Sequence, residues 1–159
     1  MKRSVIFLVS IIFCVTAQAQ ELKPFVRGSQ QAIMALHQGK PFILSLWSLD
    51  CTHCIDDMAQ FSKLVKKYHH LDLVLVSTDA PEQKQQIVRI LHHYHLEHVE
   101  SWVFADDYVE RLRFEIDPTW RGELPRTYFF DAAGYSTAIS GTINGDLVEH
   151  QISAAHKRK

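Results

Sequence analysis

Three cysteines in 159 residues are too few to build a disulfide scaffold, and one of them, Cys14, sits in a leader-like N-terminus. A formal net charge of −1 leaves no basic surplus of the kind that binds nucleic acid or an acidic membrane surface. Outside residues 5–15 there is no long apolar run, so no second membrane span is expected. Internal repeats and low-complexity tracts are missing as well, which excludes a solenoid and a disordered linker.

The first feature present is an export signal. Lys2-Arg3 supply a positive start, Val5 to Val15 an apolar stretch, and Ala17-Gln18-Ala19 a small-x-small cleavage site. The bulky Phe13 ahead of Cys14 argues against lipidation. These features predict a signal peptide over 1–19 and a single domain over 20–159, exported to the periplasm. Cleavage would remove nineteen residues and two positive charges, leaving 140 residues with a formal charge of −3. That length can bury a real core. Two cysteines then remain, Cys51 and Cys54. A loop so short constrains little of the unfolded chain, so the pair reads as a working dithiol and not as a staple.

Cys51-Thr52-His53-Cys54 directly follows the apolar run Phe42 to Trp47 and opens a segment of helical periodicity. Thiols three apart on such a turn can close a reversible disulfide. The unpaired amides and partial positive charge of a helix N-terminus favour the reactive thiolate. By itself the motif also suits half a zinc site.

Periodicity supplies the frame. Ser29 is a candidate cap for a helix over 30–37, ended by Gly39 and Pro41. Residues 42–47 and 73–76 are apolar on both sides, as central strands covered on two faces should be. Met58, Phe61, Leu64, Val65 and Tyr68 form one helical stripe, and Ile87, Ile90, Leu91 and Tyr94 another that begins after Pro81. A short strand at 102–104, a short helix from Val109 to Phe114, and strands at 127–130 and about 137–140 joined by Asp131-Ala132-Ala133-Gly134 follow. A last helix after Asn144-Gly145-Asp146 would turn Val148, Ile152 and Ala155 inward. Strands alternating with helices and closing in a hairpin plus helix predict an α/β sandwich around a mixed sheet.

Trp47-x-x-x-Cys51-x-x-Cys54 after a buried strand, with Leu124-Pro125-Arg126-Thr127 ahead of a later one, resembles the thioredoxin superfamily. The helix-strand insertion between Ser77 and Leu124, and the fragment Asp117-Pro118-x-Trp120-x-Gly122-x-Leu124-Pro125, are similar to the TlpA/ResA-like branch of exported thiol-disulfide oxidoreductases. The match covers about residues 41–156. It implies a thioredoxin-like sandwich, with a cis Pro125 whose loop faces the dithiol and leaves the Leu124 backbone free to pair with an extended substrate. An ordinary trans proline at the start of a strand is the alternative.

The resemblance also implies the chemistry, which needs no cofactor. Cys51, at the helix start, would attack a partner disulfide, and Cys54 would resolve the mixed disulfide. A charged His53 would favour the Cys51 thiolate while Asp50 opposes it, and the net effect stays open. Where thioredoxin carries a buried aspartate six residues before the first cysteine, this chain has Ser45. Where the branch often has glutamate three residues after the second, it has Asp57. Asp57 is the candidate proton acceptor for Cys54, set against a solvated helix carboxylate. Trp47 and Trp120 are candidates for an apolar rim, set against plain core packing.

Partners would be protein thiols and disulfides together with a membrane electron donor. The commonest role the resemblance implies is keeping haem-attachment cysteines reduced during cytochrome c maturation. An oxidant or isomerase, and a copper carrier using the two thiolates, are the rival readings. A peroxidase is disfavoured, because Leu44 stands where Ser48-x-x-Cys51 would need a preceding proline. No metal site is assigned: His92 and His95 have chelating spacing if both lie on one helix, but the bland reading is a polar surface face.

Overall fold

The computed structural model describes residues 21–69 and 71–157, so the predicted leader, Cys14 and His70 lie outside it. Six strands, β1 (Leu22–Phe25), β2 (Phe42–Trp47), β3 (Leu73–Ser77), β4 (Glu100–Phe104), β5 (Arg126–Phe130) and β6 (Ser136–Ser140), form one sheet in the order β1-β4-β3-β2-β5-β6. Neighbouring strands from β1 to β2 are parallel, and β5 and β6 are antiparallel additions. The sheet is therefore mixed, as predicted.

Every residue of β2 and β3 is buried, which explains why their sequences are apolar apart from the hydrogen-bonded Ser45 and Ser77. Their side chains alternate between two core layers. Ile43, Trp47, Leu73 and Leu75 face the layer covered by α2 (Thr52–Lys67), α3 (Lys84–His93) and α5 (Gly145–Lys157). Leu44, Leu46, Val74 and Val76 face α1 (Ser29–Leu36) and α4 (Val109–Ile116). Within the first layer Met58, Phe61 and Leu64 are the buried stripe of α2. Phe61 is fully buried, so truncating it to alanine should cost about 3–5 kcal/mol.

Several expected boundaries move, each for a local reason. Ser29 is not the cap of α1: Gly28, at φ 86°, takes the cap position, and the Ser29 hydroxyl accepts from the Val26 amide behind it. Pro81 opens a 3-10 turn over 81–83 before α3 begins. β4 starts two residues early and α4 runs on to Ile116. Strand β1 has no counterpart among the sequence expectations. It is four residues long, contains Pro24 and lies at the sheet edge, where a proline interrupts no ladder on its free side. The 131–134 turn is formed, with the Asp131 carboxylate accepting from the Ala133 and Tyr135 amides and Gly134 at φ 86°. In α5, Val148 is buried and Ile152 packs against the core, while the Ala155 side chain lies outside the description.

Candidate active site

The parallel strands all end at one edge of the sheet, and β2 passes there into the turn 48–50 and then into α2. Cys51 is the residue capping that helix: its sulfur accepts from the Cys54 amide at 3.1 Å. The helix starts at Thr52, so Cys51 is its cap and Cys54 lies in its first turn. They are joined as a disulfide, with Cα atoms 5.2 Å apart. Cys51 is partly exposed, whereas Cys54 is 1% exposed and packs among Trp47, Met58 and Phe61. A sulfur at the helix start keeps the amide and dipole environment that stabilises a thiolate once the bond is reduced.

One turn further on, Asp57 is 1% exposed, which excludes a solvated surface carboxylate. Its Oδ1 accepts from the Ile143 amide at 3.0 Å, and its buried Oδ2 receives no hydrogen bond from the protein. Burial pushes its pKa up from 3.8 to about 6, with Asp56 adding to the rise and the Ile143 amide and His53 opposing it. Asp57 therefore holds or releases a proton within about a unit of neutral pH.

The Leu124–Pro125 peptide is cis. Antiparallel register pairs Leu46 with Arg126, so the next step sets Pro125 beside Trp47, at the edge from which the chain leads to Cys51. Leu124 is partly buried and packs against both core layers.

No protein-family model matches the chain, and no curated protein matches it in sequence. Solved structures do. A secreted disulfide oxidoreductase from Mycobacterium tuberculosis, homologous to E. coli DsbE, aligns with a TM-score of 0.60 over 76% of this chain and 85% of its own, at 22% identity. A thioredoxin-family thiol:disulfide interchange protein from Chlorobium tepidum TLS aligns at 0.62 over 77% and 83%, at 15% identity. StoA from Bacillus subtilis aligns at 0.54 over 72% and 83%, also at 15% identity. The chain has the thioredoxin fold.

Within the thioredoxin fold the remaining expected residues separate. Trp47 is 1% exposed and packs in the same layer as Cys54, beneath the dithiol and not around its rim. Trp120 lies next to the proline loop and not in the layer of the sulfurs. It belongs to the opposite layer with Leu112 and Ile116, its indole N–H donates to the Glu123 carbonyl at 2.8 Å, and the Arg113 guanidinium lies over its ring. A lone aromatic in a turn segment carries no mark of which sheet face it will join. His53 is 74% exposed, with Nδ1 3.9 Å from Asp56 Oδ2. Ser45, in the place of thioredoxin's buried aspartate, shares a hydrogen bond with Thr127 at 3.1 Å. His95 lies beyond the end of α3 at φ 57°, so it does not share a helix face with His92. Among the described residues no group of three or more His, Cys, Asp or Glu is placed to hold a metal ion.

Two contributors escaped the sequence reading. Arg126, next to the cis bond, donates to Asp117 at 2.9 Å and Ser140 at 2.7 Å, and contacts the Tyr128 hydroxyl. Asp117 also accepts from the Thr119 hydroxyl and amide; the hydroxyl leads in holding its pKa near 2. Gly122, at φ 94°, lies against the Arg113 guanidinium, where a Cβ would come within 3.2 Å of Cζ. The 117–125 fragment is thus a brace for the proline loop, tied to β5 and β6. The second missed residue, Asp79, accepts bonds from the turn ahead of Cys51. The visible signal was a carboxylate two residues past a strand-ending serine, which many surface turns share.

Proposed function

We propose that this protein is an exported thiol-disulfide oxidoreductase that reduces disulfides in partner proteins. The observation that carries the reading is a partly exposed Cys51 at a helix start, disulfide-linked to a buried Cys54 one turn from the buried Asp57.

In the reduced protein, the Cys51 thiolate attacks one sulfur of a partner disulfide. A Cys51–partner bond forms, and the partner's other sulfur leaves as a thiolate that takes a proton from water. The Asp57 carboxylate accepts the proton of the Cys54 thiol. The Cys54 thiolate then attacks Cys51 Sγ, closes the 51–54 disulfide and expels the second partner sulfur, which is protonated in turn. Two electrons have passed from this protein to its partner. A dithiol donor must return two electrons and two protons, and an exported reductant draws them from a membrane donor. The Leu124 backbone beside the cis bond is the strand edge on which the partner segment lies, and Trp47 supports the motif from beneath.

Reduction is favoured over oxidation or isomerisation because the branch resemblance spans most of the chain, while an oxidising poise rests on His53 alone. Keeping the cysteines of haem-attachment sites reduced during cytochrome c maturation is the role proposed. The leader at 1–19 and the secreted Mycobacterium tuberculosis neighbour support export to the periplasm, and among the described residues no helix is long and apolar enough to cross a membrane. The test is the reduction potential against a glutathione series together with insulin reduction. A value about −270 mV with turnover supports the reductant; about −120 mV makes it an oxidant.

A further inference from the structure

We propose that Asp79 is the positioning residue that sets the turn carrying Cys51, through hydrogen bonds and not through its charge. The inference rests on the oxidoreductase reading for its consequence, but its test does not need that activity.

Asp79 stands just past the end of β3 and is 8% exposed. Its Oδ1 accepts from the Ser48 hydroxyl at 2.9 Å, and both oxygens accept from the Leu49 amide, at 3.2 and 3.0 Å. The Ser77 hydroxyl donates to Oδ2 at 2.6 Å and itself accepts from the Asp79 amide. The chain of bonds continues toward the sulfur: Ser48 Oγ accepts from the Asp50 amide at 3.2 Å, and the Ser48 carbonyl accepts from the Cys51 amide at 3.2 Å. A single carboxylate thus fastens the residues between β2 and Cys51 to the end of the neighbouring strand. None of residues 48–50 is fully buried; Leu49 packs half-buried against the core, and the polar groups of the turn are held by this carboxylate. A turn held in one geometry keeps the two sulfurs at bonding distance and raises the effective concentration of Cys51 at Cys54.

Releasing the turn should therefore make the disulfide easier to open. The exchange measured is the 51–54 disulfide with two glutathione thiols, giving the dithiol and glutathione disulfide. Asp79→Ala should shift this equilibrium toward the dithiol about tenfold, or about 30 mV. Loss of a negative charge near Cys51 would act in the same direction, since it also favours the thiolate. Asp79→Asn separates the causes, because the amide oxygen still accepts from Leu49 and its nitrogen can donate to the serine hydroxyls. Hydrogen-bond positioning predicts that Asn restores the equilibrium to within about threefold of the parent protein. Should Asn and Ala shift it equally, or should Ala leave it unmoved, the inference is overturned. If Asp79→Ala does not fold, Ser48→Ala cuts the link between the carboxylate and the Asp50 amide. A shift of about threefold in the same direction supports positioning, and no shift overturns it. A parent protein that fails to reduce insulin would sink the proposed activity while leaving this equilibrium measurable.

Discussion

Two buried aspartates flank the disulfide, and they are treated in opposite ways. Asp79, at the strand end before Cys51, has both oxygens engaged by Ser48, Leu49 and Ser77. Asp57, on the helix after Cys54, has one amide on Oδ1 and none on Oδ2, and its pKa sits at about 6. Burial is similar, so the supply of donors makes the difference. A carboxylate surrounded by donors ties chain segments together. One deprived of them holds its proton more tightly than a free carboxyl, up to about pH 6, and under the proposed function that contrast would separate scaffold from chemistry.

Under the proposed function both carboxylates would act through the sulfurs, so the largest effect should come from Cys51→Ser, which should abolish insulin reduction and trap no covalent partner adducts. Full activity in that variant would break the comparison at its root. Asp57→Asn comes next. It should slow resolution of a preformed Cys51 mixed disulfide about 100-fold, followed by quenched-flow alkylation, while the first attack stays near the parent rate. An unchanged resolution rate would reduce Asp57 to a buried structural group.

The same residue predicts a pH effect on folding. Native Asp57 binds its proton up to about pH 6, whereas the unfolded group releases it near 3.8. Between those values the native state carries more protons, so this group's contribution to stability falls as pH rises through the window. The loss is on the order of 3 kcal/mol. Urea unfolding at pH 4 and 7.5 should show the Asn variant gaining on the parent at the higher pH; parallel curves would contradict the assignment.

Smaller effects sharpen the other half of the contrast. Ser77→Ala takes one donor from Asp79 and should lower stability by about 1 kcal/mol, read by urea midpoint, without slowing mixed-disulfide resolution. Smallest of all for exchange is Trp120→Phe. It removes the bond to the Glu123 carbonyl, costing about 1 kcal/mol, yet exchange with dithiothreitol should stay within about twofold. A larger loss of rate would return Trp120 to the edge of the dithiol.

How much of this was legible depended on the range over which each feature is encoded. The paired cysteines, the apolar runs of β2 and β3 and the stripes of α2 and α3 follow from neighbours in sequence, and they placed the dithiol on a strand-to-helix turn. Leu124-Pro125 was recognisable, though its isomer was open. Strand β1 offered four residues and a proline, too little periodicity to register. The spacing of Asp57 was legible by resemblance, but its burial was not, and the amide it accepts from, Ile143, lies 86 positions away. Asp79 and the Arg126 brace were invisible for the same reason: Ser48, Leu49, Asp117 and Ser140 lie 9 to 31 positions from the side chains they bond.

The amino-acid order alone determined the reactive pair, its place at a helix start and the alternation of strands and helices, because each arises from contacts within a turn or two of chain. Tertiary structure decided which carboxylate is starved of donors, which is saturated, and which tryptophan shares a layer with the sulfurs. Those outcomes depend on what the rest of the fold brings to each side chain, and local periodicity carries no record of that.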